Sequence, residues 1–189
     1  ATLKNINILI SAGPTYESID PVRFLGNRSS GKMGFALAKE AAKRGANVSL
    51  ISGPVDLDTP ENVHRTNVSS ATEMKKEIEN KFDDIDVLIM SAAVADYQPV
   101  VSYKRKIKKS DDNMVIELKK TPDILKDLAK KKKNQIEIGF AIETESEIKN
   151  AYKKMKNKNL DAIVLNSLKD KGACFGYNTN KVTIITPLE

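Results

Sequence analysis

The chain has no tryptophan, one histidine, one cysteine and 5% aromatic residues in 189. Each shortage removes a class of function. A lone cysteine, Cys174, cannot form a disulfide within the chain, which points to a reducing, cytoplasmic setting. One histidine and one cysteine are too few for a His/Cys zinc site. Any nucleophile system with an imidazole base would have to use His64, and nothing around it suggests that. The scarce aromatics weigh against a platform for stacking nucleic-acid bases. No apolar run approaches the ~20 residues that cross a bilayer, and no charged segment leads into an apolar one at the N-terminus. The chain begins at Ala1 without a methionine, so it is expected to be a piece excised from something longer. Chemistry must then rest on Lys, Arg, Asp, Asn and backbone amides.

Basic residues outnumber acidic ones by 31 to 25, a formal net charge of +6. Such an excess suits an anionic partner, and a phosphorylated small molecule fits better than nucleic acid or a membrane surface. Strand-length apolar runs at about 6–11, 47–51, 63–67, 86–91, 136–141, 161–165 and 181–186 alternate with helix-period segments at about 30–44, 71–82, 122–133 and 145–157. That rhythm predicts one α/β domain over 1–189 with a Rossmann-like, mainly parallel sheet covered by helices. Ser70 and Glu73 form a capping box ahead of a face with Met74, Ile78 and Phe82. Thr121 followed by Pro122 reads as a capping hydroxyl with proline at the first helical position. The run Lys130 to Lys133 reads as a solvated, dipole-compensating helix end. Residues 97–120 break the rhythm and are expected to form a flap or hairpin outside the sheet, with a short strand over Met114 to Leu118. Residues 166–180 are expected to be irregular.

Three segments sit where an open α/β sheet binds ligands, beyond the carboxyl ends of its strands. The first is Gly13-Pro14-Thr15 after the first strand. The second is Gly26-Asn27-Arg28-Ser29-Ser30-Gly31-Lys32-Met33-Gly34. It contains GxxxxGK, but Met33 replaces the hydroxyl residue that would hold Mg²⁺, and the first strand ends some fifteen residues earlier, so it is no P-loop. Glycines and hydroxyls at a helix start still present N–H groups and a positive dipole end to a phosphate. The third is Ser91-Ala92-Ala93-Val94-Ala95-Asp96-Tyr97, whose small residues allow close approach and whose Asp96 can meet a ribose or base. A basic cluster, Lys104, Arg105, Lys106, Lys108 and Lys109, lies in the flap; such crowding invites an anion. An NAD(P)-dependent reductase is disfavoured because the GxGxxG fingerprint and its acidic ribose partner are absent.

The stretches SAGPT (11–15), DPVRFLGNRSSGKMGFALA (20–38), RGANVSLISGPV (44–55), SAAVADY (91–97), KIKK (106–109), TPDIL (121–125), GFAIET (139–144) and KNLDAIVLN (158–166) together resemble the phosphopantothenate–cysteine ligase family. The likeness runs in order over nearly the whole chain and is to the C-terminal half of the bacterial bifunctional protein. It implies a ligase of coenzyme A synthesis, cytoplasmic and homodimeric, fused in the full-length protein to a flavin-dependent decarboxylase. The implied partners are 4′-phosphopantothenate and L-cysteine, with CTP as nucleotide substrate and Mg²⁺; nucleic acid and membrane are not expected. The residues alone leave CTP against ATP open.

The resemblance also assigns roles. Asn27 matches the catalytic asparagine that orients the acyl intermediate. Lys106 matches a flap lysine that stabilises charge at the α-phosphate and on leaving pyrophosphate. Arg23 matches an active-site arginine, a fork for the substrate's phosphate or carboxylate. Gly13, Ser29, Gly31 and Gly34 match a phosphate cradle. Ala93, Asp96, the turn Pro122, Asp123, Ile124 and Leu125, then Phe140, Lys154 and Lys158 match nucleotide contacts. The resemblance names no metal ligands.

Overall fold

The structure, a computed structural model, describes residues 2–109, 113–143, 145–167 and 179–187. Its centre is a seven-stranded sheet. The strands are β1 (Asn7–Ala12), β4 (Asn47–Ser52), β5 (Val63–Asn67), β6 (Val87–Met90), β9 (Ile136–Glu143), β10 (Ala162–Ser167) and β11 (Val182–Ile185). Their spatial order is β11-β10-β9-β6-β1-β4-β5. Every pairing is parallel except that of β10 with the edge strand β11. The expected Rossmann-like α/β architecture is the one observed.

Alternation along β1 sends its side chains to both faces. Ile8, Ile10 and Ala12, with Val48 and Leu50, pack under Phe35, Ala38 and Ala41 of α1 (Lys32–Lys43). Leu9, Ile51, Leu88 and Met90 pack on the other face under Met74 and Ile78 of α2 (Ala71–Lys81), Phe82 of the following 3-10 turn, and Ile124 and Leu128 of α3 (Ile124–Leu128). A third cluster seats Ala151 and Met155 of α4 (Glu147–Asn157) against Ala141, Ile163 and Leu165. Side chains as enclosed as Leu50 and Ile10 each contribute about 1.5–3 kcal/mol by leaving water.

Chain order runs outward from β1 in both directions, so strand order reverses between β1 and β6. The carboxyl ends of those strands open the crevice where such sheets bind ligands. Two hairpins lie outside the sheet: β2 (Tyr16–Ser18) with β3 (Phe24–Gly26), and β7 (Tyr97–Pro99) with β8 (Leu118–Lys120). The second is the expected flap hairpin, although its return strand forms at Leu118–Lys120 rather than over Met114 to Leu118. The first is absent from the periodicity, because three-residue strands are too short to show one. It is set by the stacked rings of Tyr16 and Phe24, with centroids 3.8 Å apart, and by the turn at Asp20.

Helix boundaries follow local hydrogen bonds. The Ser70 box is formed: Ser70 Oγ accepts from Glu73 N at 3.2 Å, and Glu73 Oε2 accepts from Ser69 N at 2.7 Å. The helix expected over 122–133 is shorter. Thr121 does not cap it, because its hydroxyl donates to Ala95 O at 2.6 Å; Asp123 caps instead, accepting from Lys126 N. Beyond Leu128 the chain tightens into turns, and its four lysines diverge. Lys130 reaches Asp127, Lys131 reaches Glu79, Lys132 reaches Asp161 and Lys133 reaches Asp83. The run is thus a fan of ion pairs joining α3 to α2, the 3-10 turn and the start of β10, rather than a merely solvated face. Residues 168–178, most of the stretch expected to be irregular, and Cys174 with them, lie outside the described residues.

Candidate active site

Polar side chains buried between residues 11 and 20 fasten the loops around the crevice. Ser11, Thr15, Glu17 and Asp20 are all at most 3% exposed. Ser11 Oγ accepts from Ala92 N at 3.2 Å, and Thr15 Oγ1 accepts from Ala95 N at 2.9 Å. Glu17 Oε1 accepts from Ala71 N at 2.8 Å, which ties β2 to the start of α2. Asp20 Oδ1 accepts from Val22 N and Arg23 N. A buried polar group left unpaired costs about 1–3 kcal/mol, so each bond fixes its loop firmly.

The loop after β1 pairs with the loop after β6: Ala93 N donates to Gly13 O, Thr15 N donates to Ala93 O, and Pro14 and Ala93 form an isolated parallel bridge. Gly13 has φ 77°, and an added Cβ would meet Val55 Cγ1 at 3.0 Å. Gly31, at φ 74°, is the residue before α1 and lies against Gly13, its ideal Cβ position 3.4 Å from Gly13 Cα. No side chain caps α1; Ser29 Oγ only accepts from Gly31 N at 3.4 Å. At Gly34 a Cβ would fall 2.5 Å from Ala12 Cβ and 2.7 Å from Ser91 Oγ. Glycine here lets the first turn of α1 sit directly on the ends of β1 and β6, with its amides and dipole facing the crevice.

The crevice is a cavity of about 1110 Å³. Ser29, Gly31 and Gly34 line it at the start of α1, Ala93 and Asp96 after β6, and Pro122, Asp123, Ile124 and Leu125 beside them. Phe140, Lys154 and Lys158 close the far wall. Gly13 is outside that lining and lies behind Gly31. Asn27 is not a lining residue but is tied to one, its Nδ2 donating to Ala93 O at 2.9 Å. Lys154 Nζ donates to Phe140 O at 2.9 Å, and burial pulls its ammonium below the usual lysine range. Lys158 caps the C-terminus of α4 and binds Asp123 Oδ2. Burial pushes Asp123 up, but the bonds from Lys158 and Lys126 N, with those two lysines' charges, hold it below the usual carboxylate value overall.

Arg23 and Lys106, also named by the resemblance, are likewise outside the lining. Arg23 engages one edge of its guanidinium within the protein. Its Nε and Nη2 bind Asp20 Oδ2 at 3.0 and 2.5 Å, and Nη2 also donates to Ile107 O at 2.9 Å. The Arg23 guanidinium holds the Asp20 carboxyl well below the ordinary range, against the opposing effect of burial. Lys106 is exposed on the flap, next to Ile107. The buried holders Ser11, Thr15, Glu17 and Asp20 were not singled out as functional from sequence; only the Asp-Pro turn at 20–21 gave a local signal. Asn166 and Asn180, which also line the cavity, gave none.

A Rossmann-like α/β domain with a helix N-terminus and two lysines converging on its switch-point crevice is built to take an anionic, nucleotide-sized ligand. The chain belongs to the DNA/pantothenate metabolism flavoprotein C-terminal domain family, which matches residues 3–189. It is 50% identical over 185 residues to the coenzyme A biosynthesis bifunctional protein CoaBC of Bacillus subtilis (strain 168), covering 97% of this chain and 46% of that protein. It is 52% identical to a cysteine/cysteine sulfinic acid decarboxylase of an unknown prokaryotic organism, covering 97% of this chain and 52% of that one. The chain therefore spans about half the length of these curated relatives. Among solved structures, the C-terminal domain of a CoaBC protein superposes with TM-score 0.83 at 43% identity, covering 98% of this chain and 83% of that one. A complex of a Cab2 mutant with phosphopantothenate-cysteine shares the fold at 15% identity and TM-score 0.79, covering 97% of this chain and 77% of that one. No described helix is long and apolar enough to cross a membrane.

Proposed function

We propose that this domain ligates L-cysteine to 4′-phosphopantothenate at the expense of CTP. The observation that carries this reading is the single cavity in which the uncapped start of α1, the Ala93–Asp96 loop, the 122–125 turn and the Lys154/Lys158 pair converge, in a chain of this family. In the first step the phosphopantothenate carboxylate attacks the α-phosphate; an acyl-cytidylate forms and pyrophosphate leaves. In the second the cysteine amine attacks the acyl carbon, and the amide forms as CMP and a proton depart. The first turn of α1 receives phosphate oxygens on its amides, and Gly31 and Gly34 let them approach. Lys154 and Lys158 balance triphosphate charge. Asn27, anchored on Ala93 O, holds the acyl group, and Lys106 stabilises the pyrophosphate as it leaves.

Mg²⁺ fits this site as a companion of the nucleotide. Asp96 and Asp123 are the carboxylates lining the cavity, Asp123 is already tied to Lys158, and no metal-binding cluster of three or more His, Cys, Asp or Glu occurs among the described residues. That donor set suits an ion held chiefly by phosphate oxygens and water. When bound it screens the triphosphate so that a carboxylate can approach.

The reading includes a homodimer and a cytoplasmic protein with an attached flavin-dependent decarboxylase half. Support for the dimer is the apolar surface of the two hairpins, where Val22, Phe24, Tyr97, Val101 and Tyr103 are each about half exposed or more; isolated hairpins are marginal and gain by packing. A monomer by light scattering would remove that element. The reaction is tested by pyrophosphate release with 4′-phosphopantothenate and each of the four ribonucleoside triphosphates before cysteine is added. CTP should exceed ATP by about 10⁴ in kcat/KM, as sites that hydrogen-bond a base can discriminate. Equal constants would overturn the choice of CTP, and no release with any triphosphate would overturn the ligase reading.

A further inference from the structure

The geometry assigns Asp20 a task of its own: it is a positioning residue that, with Arg23, bolts the basic flap to the body of the domain at Ile107 and so sets where Lys106 stands. The inference rests on the ligase reading for its kinetic consequence but not for its structural content. Asp20 is 3% exposed and uses both oxygens. Oδ1 closes its own turn, accepting from Val22 N and Arg23 N at 2.9 Å each. Oδ2 faces the other way and accepts from Ile107 N at 3.1 Å as well as from the Arg23 guanidinium. Arg23 completes the clasp by donating Nη2 to Ile107 O. Both backbone polar groups of Ile107 are thus held by one ion pair, 84 and 87 residues away in sequence.

A second tie holds the same segment upstream, where Tyr103 N donates to Ile19 O at 2.9 Å. The residues Lys104, Arg105 and Lys106 are therefore strung between two anchors on the β2–β3 hairpin. That hairpin is itself fastened to α2 by Glu17 and by Tyr16 N, which donates to Ser69 O. Five basic residues between 104 and 109 repel one another. Left to itself the segment would spread, and the clasp supplies the restraint. The Nε–Nη2 edge of the arginine that the family likeness assigns to substrate is engaged in this clasp.

The distinction between the two oxygens makes the inference testable. In Asp20→Asn the amide oxygen can keep the local turn, for which asparagine is well suited, while its NH₂ faces the Ile107 and Arg23 donors and can accept from neither. The flap is released and the turn stays. In the wild-type chain hydrogen exchange should find the Ile107 amide protected. In Asp20→Asn that amide should exchange at least ~10-fold faster while Tyr103 N keeps its protection, since a hydrogen bond to an ionised acceptor is worth about a factor of ten or more. In pyrophosphate release, kcat should fall about 10–10²-fold with KM for CTP little changed, because a displacement of about 1 Å at a reacting group has that size of effect. Combined with Lys106→Gln, the second substitution should add almost nothing, since Asp20 acts through Lys106. Arg23→Gln, at a partly exposed position, repeats the test if Asp20→Asn does not fold. Unchanged exchange at Ile107, or kinetic losses that multiply in the double variant, would overturn the assignment. A wild-type chain with no ligase turnover would overturn the reaction instead, and exchange at Ile107 would still decide the clasp.

Discussion

The central sheet and the hairpin layer above its carboxyl edge are held by opposite means. The sheet packs mainly through apolar side chains, and its strands are recognisable one by one. The hairpins bury little; three of their four strands carry an apolar side chain that is half exposed, and they stay in place through buried polar side chains on residues 11–20. The first kind of region tolerates changes of charge at its rim and fails when volume changes. The second fails when a single oxygen is replaced. The groups proposed to do chemistry lie on the second region or where the two meet, while the nucleotide cavity is walled mainly by the first.

Three substitutions separate the regions. The largest effect is expected on the flap. Lys106→Gln should reduce pyrophosphate release by about 10²–10³, the usual loss for one group that stabilises a developing charge, with melting temperature and CTP-induced stabilisation nearly unchanged. A variant that also lost stability would show the flap to be part of the fold, and the contrast would fail.

Glu137 tests the sheet. Its carboxylate is fully buried on β9 with neither oxygen hydrogen-bonded, beside the Lys132–Asp161 pair. Burial pushes its pKa up to about 7, partly opposed by Lys132 and aided by Asp161. The folded state therefore holds a proton that the unfolded chain releases near the ordinary glutamate value of 4.5. Between those values the native state binds more protons, so stability should decline as pH rises from about 4.5 through 7. The decline amounts to about 3 kcal/mol once complete. In denaturant titrations from pH 4 to 8, Glu137→Gln should flatten that slope while leaving ligase turnover per folded molecule intact. Parallel slopes in the two proteins would mean that the carboxyl finds a partner or stays ionised.

Asn27 stands at the junction and should show the smallest effect. In Asn27→Asp a carboxylate would confront Ala93 O where the amide now donates at 2.9 Å. The side chain should swing away, and its charge should disfavour the oxyanion of the second step. Acyl-CMP should accumulate, with transfer to cysteine slowed by about 10², while pyrophosphate release survives in part. Rapid-quench assays with labelled CTP follow both. Transfer at the wild-type rate would leave Asn27 as a structural tie between the loops.

Much of this was legible in the chain itself. Strand-length apolar runs report the sheet because burial on two faces demands them, and the Ser70–Glu73 box reports a helix start because its bonds span only four residues. Glycine at 31 and 34 pointed to a close approach for the same local reason. The β2–β3 hairpin, the shortened α3 and the fan from Lys130 to Lys133 were not legible, since each depends on partners outside its own short segment: Tyr16 on the ring of Phe24 across the hairpin, Thr121 on Ala95 O, and Lys131, Lys132 and Lys133 on Glu79, Asp161 and Asp83. The composition and hydrophobic period determined that this would be a helix-covered parallel sheet with an anion-seeking crevice. Only the tertiary structure decided that Arg23 binds Asp20 and the flap, and that Glu137 is buried with neither carboxylate oxygen hydrogen-bonded. An ionisable side chain's role is set by which groups reach it in space, and period and spacing along the chain carry no information about that.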